Sequence, residues 1–186
     1  TLSTMFGSHL QGMPIIAENG TYVVRDGVDI SSSTIDPNLT REVITGVRQL
    51  RNDGHDVGLV VATKSIAYLE RGDDPFVSHV ATYYHSHRIV KDLSEHTDDV
   101  IKLSIYDFRE ASEATYPTMQ RTAPEHQVIL ATPNWVDIMN PGVNKGSAVE
   151  AVQRDLGVTA DQTAIFGDFL NDLEMMPMAK WSFAMA

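Results

Sequence analysis

Apolar residues recur at spacings of three and four through residues 36–54, DPNLTREVITGVRQLRNDG, where Leu39, Val43, Val47 and Leu50 form one face. That spacing predicts a helix starting at Asp36-Pro37 and stopping at Gly54. The same period returns in NKGSAVEAVQRDLG (144–157), where Ala148, Val149, Val152 and Leu156 share a face and Gly157 closes the helix. Strands are marked by β-branched or alternating runs: VGLVVAT (57–63), VIKLSIYD (100–107), HQVILAT (126–132) and WVDIMN (135–140). TYVVRDGVDIS (21–31) alternates around Asp26-Gly27, a hairpin signal. MPIIAENG (13–20) reads as a buried strand ended by an Asn-Gly turn. QTAIFGD (162–168) is almost wholly apolar, which predicts a strand buried on both faces of a parallel sheet. WSFAMA (181–186) reads as one more strand. Short helices are expected at 64–71, 75–84 and 110–121, and at the start of NDLEMMPMA.

Two textures follow. Residues 22–134 mix hairpins, strands and long helices in an α+β pattern, whereas the last fifty residues alternate strand and helix. Residues 12–20 share the buried-strand texture of the end. The expectation is an α/β fold: a discontinuous, Rossmann-like parallel core from 1–21 and 135–186, with an α+β domain inserted over 22–134.

Composition narrows the function. Twenty-five acids stand against 14 bases, a net charge of -11. Such a chain repels a phosphodiester backbone and an anionic membrane surface, so neither nucleic acid nor membrane is an expected partner. A small phosphorylated substrate stays open, because a metal ion can supply local positive charge. The chain lacks cysteine, which removes disulfides, thiolate ligands and thiol nucleophiles and suits a reducing cytoplasm. The expected assembly is a monomer or homodimer.

The chemistry gathers at two places. In IFGDFLNDLEMM (165–176), Asp168 ends an apolar strand, and Asn171 and Asp172 follow on the turn. Ligands of open parallel sheets sit beyond the carboxyl ends of strands. Carboxylates there suit a hard cation such as Mg2+. A lone aspartate would read as a helix cap, but the combination Gly-Asp-x-x-Asn-Asp reads as a site. In NPGVNKG (140–146), Lys145 opens a helix, against the dipole preference for acids at that end. A phosphate or a carboxylate cluster beside it would explain the placement.

Together these residues, GVNKGSAVEAVQRDLGVTADQTAIFGDFLNDLEMM, resemble the C-terminal half of haloacid dehalogenase superfamily phosphatases of the Cof type, with an α/β cap of type IIB. PIIAENGTYVV (14–24) is similar to the family segment where core hands over to cap. The resemblance implies a Mg2+-dependent phosphatase of small phosphorylated metabolites such as sugar phosphates, working through an aspartyl-phosphate. It implies that Lys145 holds phosphate and that Asp168 binds Mg2+. Asn171 would orient phosphate or lysine, and Asp172 would bind the metal through water or brace Lys145. Asn144 and Asn19 are implied as substrate contacts. The family's nucleophile segment, Asp-x-Asp-Gly-Thr after a buried strand, has no match: RDGVD (25–29), NDGHD (52–56) and RGDDP (71–75) all differ in spacing or setting. The expectation is that this segment lies upstream of Thr1, that both ends are cut, and that the 186 residues alone are inactive. Phe169 also departs from the small or polar residue usual after the first aspartate of the motif. Two other readings stand beside the phosphatase: a phosphomutase of the phosphomannomutase type, and an inactive fragment that only binds ligand or partner. His85 and His87, two residues apart, are discounted as a metal pair because no third ligand is near in sequence.

Overall fold

The computed structural model describes residues 6–185, so Thr1 and Ala186, the two ends read as cut, lie outside it. The chain divides into two compact units, Thr1–Ser33 with Gly142–Ala186, and Thr34–Pro141.

The first unit opens with β1 (Ile15–Ala17), β2 (Tyr22–Arg25) and β3 (Val28–Ser32), an antiparallel sheet in the order β1-β2-β3. Asp26-Gly27 forms the expected two-residue turn, both residues at positive φ (50° and 78°), which matches the right-handed strand twist. Two expectations change here. Ile15–Ala17 pairs antiparallel with β2 rather than joining a parallel sheet, and the hairpin belongs to this unit rather than to the inserted one.

The second unit begins with α1 (Pro37–Asn52), capped by the Asp36 carboxylate, which accepts the N–H of Asn38 at 2.7 Å. Then come β4 (Val57–Thr63), β5 (Ala67–Leu69), α2 (Asp74–Tyr83), β6 (His87–Ile89), β7 (Val100–Asp107), α3 (Thr115–Thr122), β8 (Gln127–Leu130) and β9 (Trp135–Met139). The strands form one six-stranded sheet, β6-β5-β4-β7-β9-β8, parallel only between β5 and β6. Alternation along the strands feeds two cores. Leu59, Val61, Leu103, Ile105, Val136 and Ile138 pack with Leu39, Val43 and Val47 of α1 and Met119 of α3. Val60, Ala62, Leu69, Tyr106 and Trp135 pack with Phe76 and Val80 of α2. Each fully buried aliphatic side chain contributes about 1.5–3 kcal/mol.

Residues 64–71, expected as a helix, instead carry β5: Ala67 and Leu69 are buried while Tyr68 is half exposed, a period of two. The expected boundary at 134 moves to 141, because Trp135–Met139 pairs with β7 (Ser104 opposite Asp137) inside this sheet. His85 and His87 do not share a strand; His87 Nδ1 bonds the Tyr84 carbonyl at 2.8 Å.

Back in the first unit, α4 (Lys145–Leu156) ends at Gly157 in the left-handed conformation (φ 66°), as expected. β10 (Ala164–Gly167) and β11 (Trp181–Ala184) pair in parallel, the parallel element of this unit among the described residues. β10 is buried on one face rather than both: Ile165 is covered, whereas Phe166 is 63% exposed and stacks on Phe183. Between these strands the chain makes two 3-10 turns, Leu170–Asp172 and Met176–Met178, in place of the expected short helix. Pro177 opens the second turn and supplies no N–H for a continuing helix. No helix among the described residues is long and apolar enough to cross a membrane.

Candidate functional site

β10 delivers Asp168 just past its carboxyl end, and the turn that follows curls Asp172 back beneath it. Asp172 is 4% exposed, and its carboxylate is fully engaged. Its Oδ2 accepts the backbone N–H groups of Asp168 (2.9 Å) and Phe169 (3.2 Å), and its Oδ1 pairs with the Lys145 ammonium. The lysine contact, then the two N–H donors, hold the Asp172 carboxyl below the usual carboxylate value, and burial opposes them. The ion pair also accounts for a cation in the first turn of α4, where the dipole is unfavourable: the carboxylate lies against the same helix end.

Lys145 reaches that position because two backbones approach the start of α4 closely. A Cβ on Gly146 would overlap the Glu174 carbonyl, in the turn after Asp172. A Cβ on Gly20 would overlap the Asn144 carbonyl and lie 3.2 Å from the Lys145 nitrogen. Glycine is the residue that leaves room. Reading motifs for chemistry passes over these two glycines, although each adjoins a residue singled out for it, Asn19 and Lys145. Ser147 was missed as well: it completes a capping box in which Asn144 Oδ1 accepts the Ser147 N–H (2.9 Å) and Ser147 Oγ accepts the Asn144 N–H (3.1 Å).

The structure thus joins Lys145 and Asp172 directly and Asp168 to them through its backbone. Asn144 spends its side-chain oxygen on the helix cap, leaving its Nδ2 as a donor. Asn19 is half-buried in a left-handed turn (φ 56°). Asn171 is exposed, and its side chain makes no hydrogen bond among the described residues.

The residues admit a hard cation at one point. Asp168 is exposed, and its carboxylate has no hydrogen-bonded or ion-paired partner among the described residues. Asp172, by contrast, offers no oxygen free of an N–H donor. No cluster of three or more His, Cys, Asp or Glu stands ready for a metal among the described residues. Mg2+ needs none, since it is held by one or two carboxylates with water and phosphate oxygens. A cavity of about 360 Å³ adjoins Asp168, walled by Phe169, Leu173, Met176 and Met185. Phe169 is 71% exposed and forms an apolar rim beside the carboxylate.

Comparison with known proteins gives the family and the fold. The profile of haloacid dehalogenase-like hydrolases matches residues 3–186. A 5-amino-6-(5-phospho-D-ribitylamino)uracil phosphatase of Escherichia coli is 27% identical over 99% of this chain and 67% of its own length. A solved structure from Thermotoga maritima aligns with a TM-score of 0.84 at 22% identity, covering 99% of this chain and 67% of that one. One from Eubacterium rectale aligns at 0.81 and 22%, covering 95% and 66%. A sugar phosphatase of haloacid dehalogenase subclass IIB aligns at 0.73 and 19%, covering 99% and 68%. At these identities the solved structures share the fold, and this chain spans about two thirds of their length. The family profile covers nearly every residue, and the fold agrees with it: the chain belongs to the haloacid dehalogenase-like hydrolase family.

Proposed function

We propose that this chain carries the phosphate- and metal-holding part of a Mg2+-dependent phosphatase acting on small phosphorylated metabolites. One observation carries the reading: the Lys145 ammonium, seated on Asp172 at the start of α4, stands in the same turn system as the Asp168 carboxylate, which has no partner among the described residues. Lys145 would neutralise a phosphoryl oxygen, and the N-terminus of α4 adds its partial positive charge. Asp168 would hold Mg2+, which supplies charge neutralisation at the phosphoryl group when bound. Asp172 keeps Lys145 in place and would meet the metal only through water. Asn171, exposed beside Asp168, and the Asn144 Nδ2 are further donors for phosphate, with Asn19 a contact of the unit's other segment.

The unit Thr34–Pro141 is read as the inserted cap that selects substrate. The Escherichia coli relative acts on a phosphorylated ribitylaminouracil, and the subclass IIB neighbour is a sugar phosphatase, so phosphorylated sugars and polyols are the favoured class. No residue of this chain is assigned as nucleophile, because the 186 residues hold no Asp-x-Asp-Gly-Thr. That same fact favours a second reading, in which the 186 residues bind phosphorylated ligand without turning it over.

The test has two parts. Binding of inorganic phosphate by the 186-residue chain, followed by phosphorus NMR with and without Mg2+, should weaken at least ~10-fold in Lys145→Ala. Phosphate release from sugar phosphates is then measured for this chain and for one extended upstream through an Asp-x-Asp-Gly-Thr strand. Turnover only in the longer chain supports the phosphatase. Binding without turnover in either supports the second reading. Phosphate binding indifferent to Lys145 sinks both.

A further inference from the structure

The Glu18–Gly20 turn departs from ordinary backbone three times in a row: φ is 49° at Glu18, 56° at Asn19 and 101° at Gly20. Left-handed conformation at two successive non-glycine residues is unfavourable, and it persists only where the surroundings demand it. Here the surroundings are specific. The turn brings the Gly20 α-carbon onto the Asn144 carbonyl and beside the Lys145 nitrogen, so close that no side chain fits. On its other flank the start of α4 meets the Glu174 carbonyl through Gly146. The first turn of α4 is therefore held between two backbones, one from the Asp172 segment and one from residues 120 and more positions earlier in the chain.

We propose that Gly20 is a positioning residue for Lys145: the left-handed turn presses the start of α4 toward the 168–174 segment and so sets the ammonium on Asp172. Gly20 touches no reacting atom. Its effect passes through the Asn144 carbonyl and the Lys145 backbone to the Lys145 side chain. The inference rests on the reading of Lys145 as the phosphate-holding group for its functional weight, but its geometry is testable without substrate.

Gly157 provides the control. It stands at the far end of the same helix, at φ 66°, with open space where a Cβ would go. Gly20→Ala and Gly157→Ala both force alanine into a left-handed backbone. Only Gly20→Ala pushes against the Lys145 turn. Each is combined with Asp172→Asn in a double-mutant cycle of urea unfolding. Gly157→Ala should multiply with Asp172→Asn independently. Gly20→Ala should couple, with a combined unfolding constant that differs at least ~3-fold from the product of the single effects. The Lys145 side-chain ε-carbon resonance, recorded on the folded chain, should shift in Gly20→Ala and stay in place in Gly157→Ala. If Gly20→Ala does not fold, Asn19→Ala disfavours the same turn without placing an atom against Asn144, and it takes the same two measurements. Additivity with an unmoved Lys145 resonance overturns the proposal. Phosphate binding lost in Lys145→Ala alongside that result would leave the site reading intact while removing Gly20 from it.

Discussion

The Lys145 ammonium rests on one oxygen of Asp172, and the other oxygen of that carboxylate accepts the backbone N–H groups of Asp168 and Phe169. One side chain thereby fixes both the cation and the turn that presents Asp168. The two tasks separate by substitution. Asp172→Asn keeps an acceptor for the N–H pair and loses the ion pair; Asp172→Ala loses both. Unfolding in urea should show losses of about 1 kcal/mol for the asparagine and about 3 kcal/mol for the alanine. Equal losses in the two variants would show that the N–H acceptance contributes nothing.

The same carboxylate makes stability depend on acid. Its folded value lies below the ordinary 3.8, chiefly because of Lys145. A depressed folded value means that the stabilisation is complete above 3.8 and is lost as pH falls through the lower value. Wild type should therefore lose stability more steeply than Asp172→Asn over that acid range, and the two curves should converge at the acid end. Thermal unfolding at a series of pH values measures it.

Asp168 predicts the opposite balance. Its carboxylate is exposed and unpartnered among the described residues, so Asp168→Ala should change unfolding free energy by no more than about 0.5 kcal/mol. In an active, upstream-extended chain the same change should lower Mg2+-dependent phosphate release by at least ~100-fold. Retained activity would remove Asp168 from the site.

In the second unit, Lys102 and Asp137 form a nearly buried pair at 3.7 Å, with Ser104 Oγ donating to Asp137 at 2.6 Å and Tyr84 hydroxyl 2.9 Å from Ser104. Lys102→Met strands a buried carboxylate and should destabilise by about 3 kcal/mol. Adding Asp137→Leu should recover most of that loss, since an apolar pair of similar volume replaces the ions. Urea unfolding of the single and double variants decides it.

Tyr22 donates its hydroxyl to Asp29 at 2.7 Å, which, with burial behind it, pushes the phenol up to about 12 from 10.0. A raised folded value contributes stability below the unfolded value and loses it as pH rises through the folded one. Ultraviolet titration should find a late-ionising tyrosine that is lost in Tyr22→Phe, beside Tyr106, which burial also raises, and Asp29→Asn should bring the Tyr22 value back toward 10.0.

How far the sequence could be read depended on how local each signal was. α1 and α4 carry their faces, caps and stops within one segment, and the Asp26-Gly27 hairpin carries its turn. The motif residues Lys145, Asp168 and Asp172 were legible because their types and order point to one chemistry. Residues 64–71 misled because three strand residues give too short a period to separate from a helical turn. The boundary at 134 misled because apolar alternation in WVDIMN says that a strand forms and nothing about which sheet takes it.

By itself, then, the sequence determined α1, α4, the Asp26-Gly27 hairpin and most of the strands, the α/β class and the acid–amide–lysine set from which the family resemblance follows, since each depends on residues near one another in the chain. Tertiary structure alone decided the rest. It gave β9 to the six-stranded sheet of the second unit through Ser104 opposite Asp137, and left one face of β10 exposed. Of the two roles open to Asp172, binding a metal through water or bracing Lys145, it made the contact with Lys145. Those outcomes depend on which backbones meet across 25 to more than 100 residues, and glycines such as Gly20 and Gly146 disclose such meetings only once their neighbours are known.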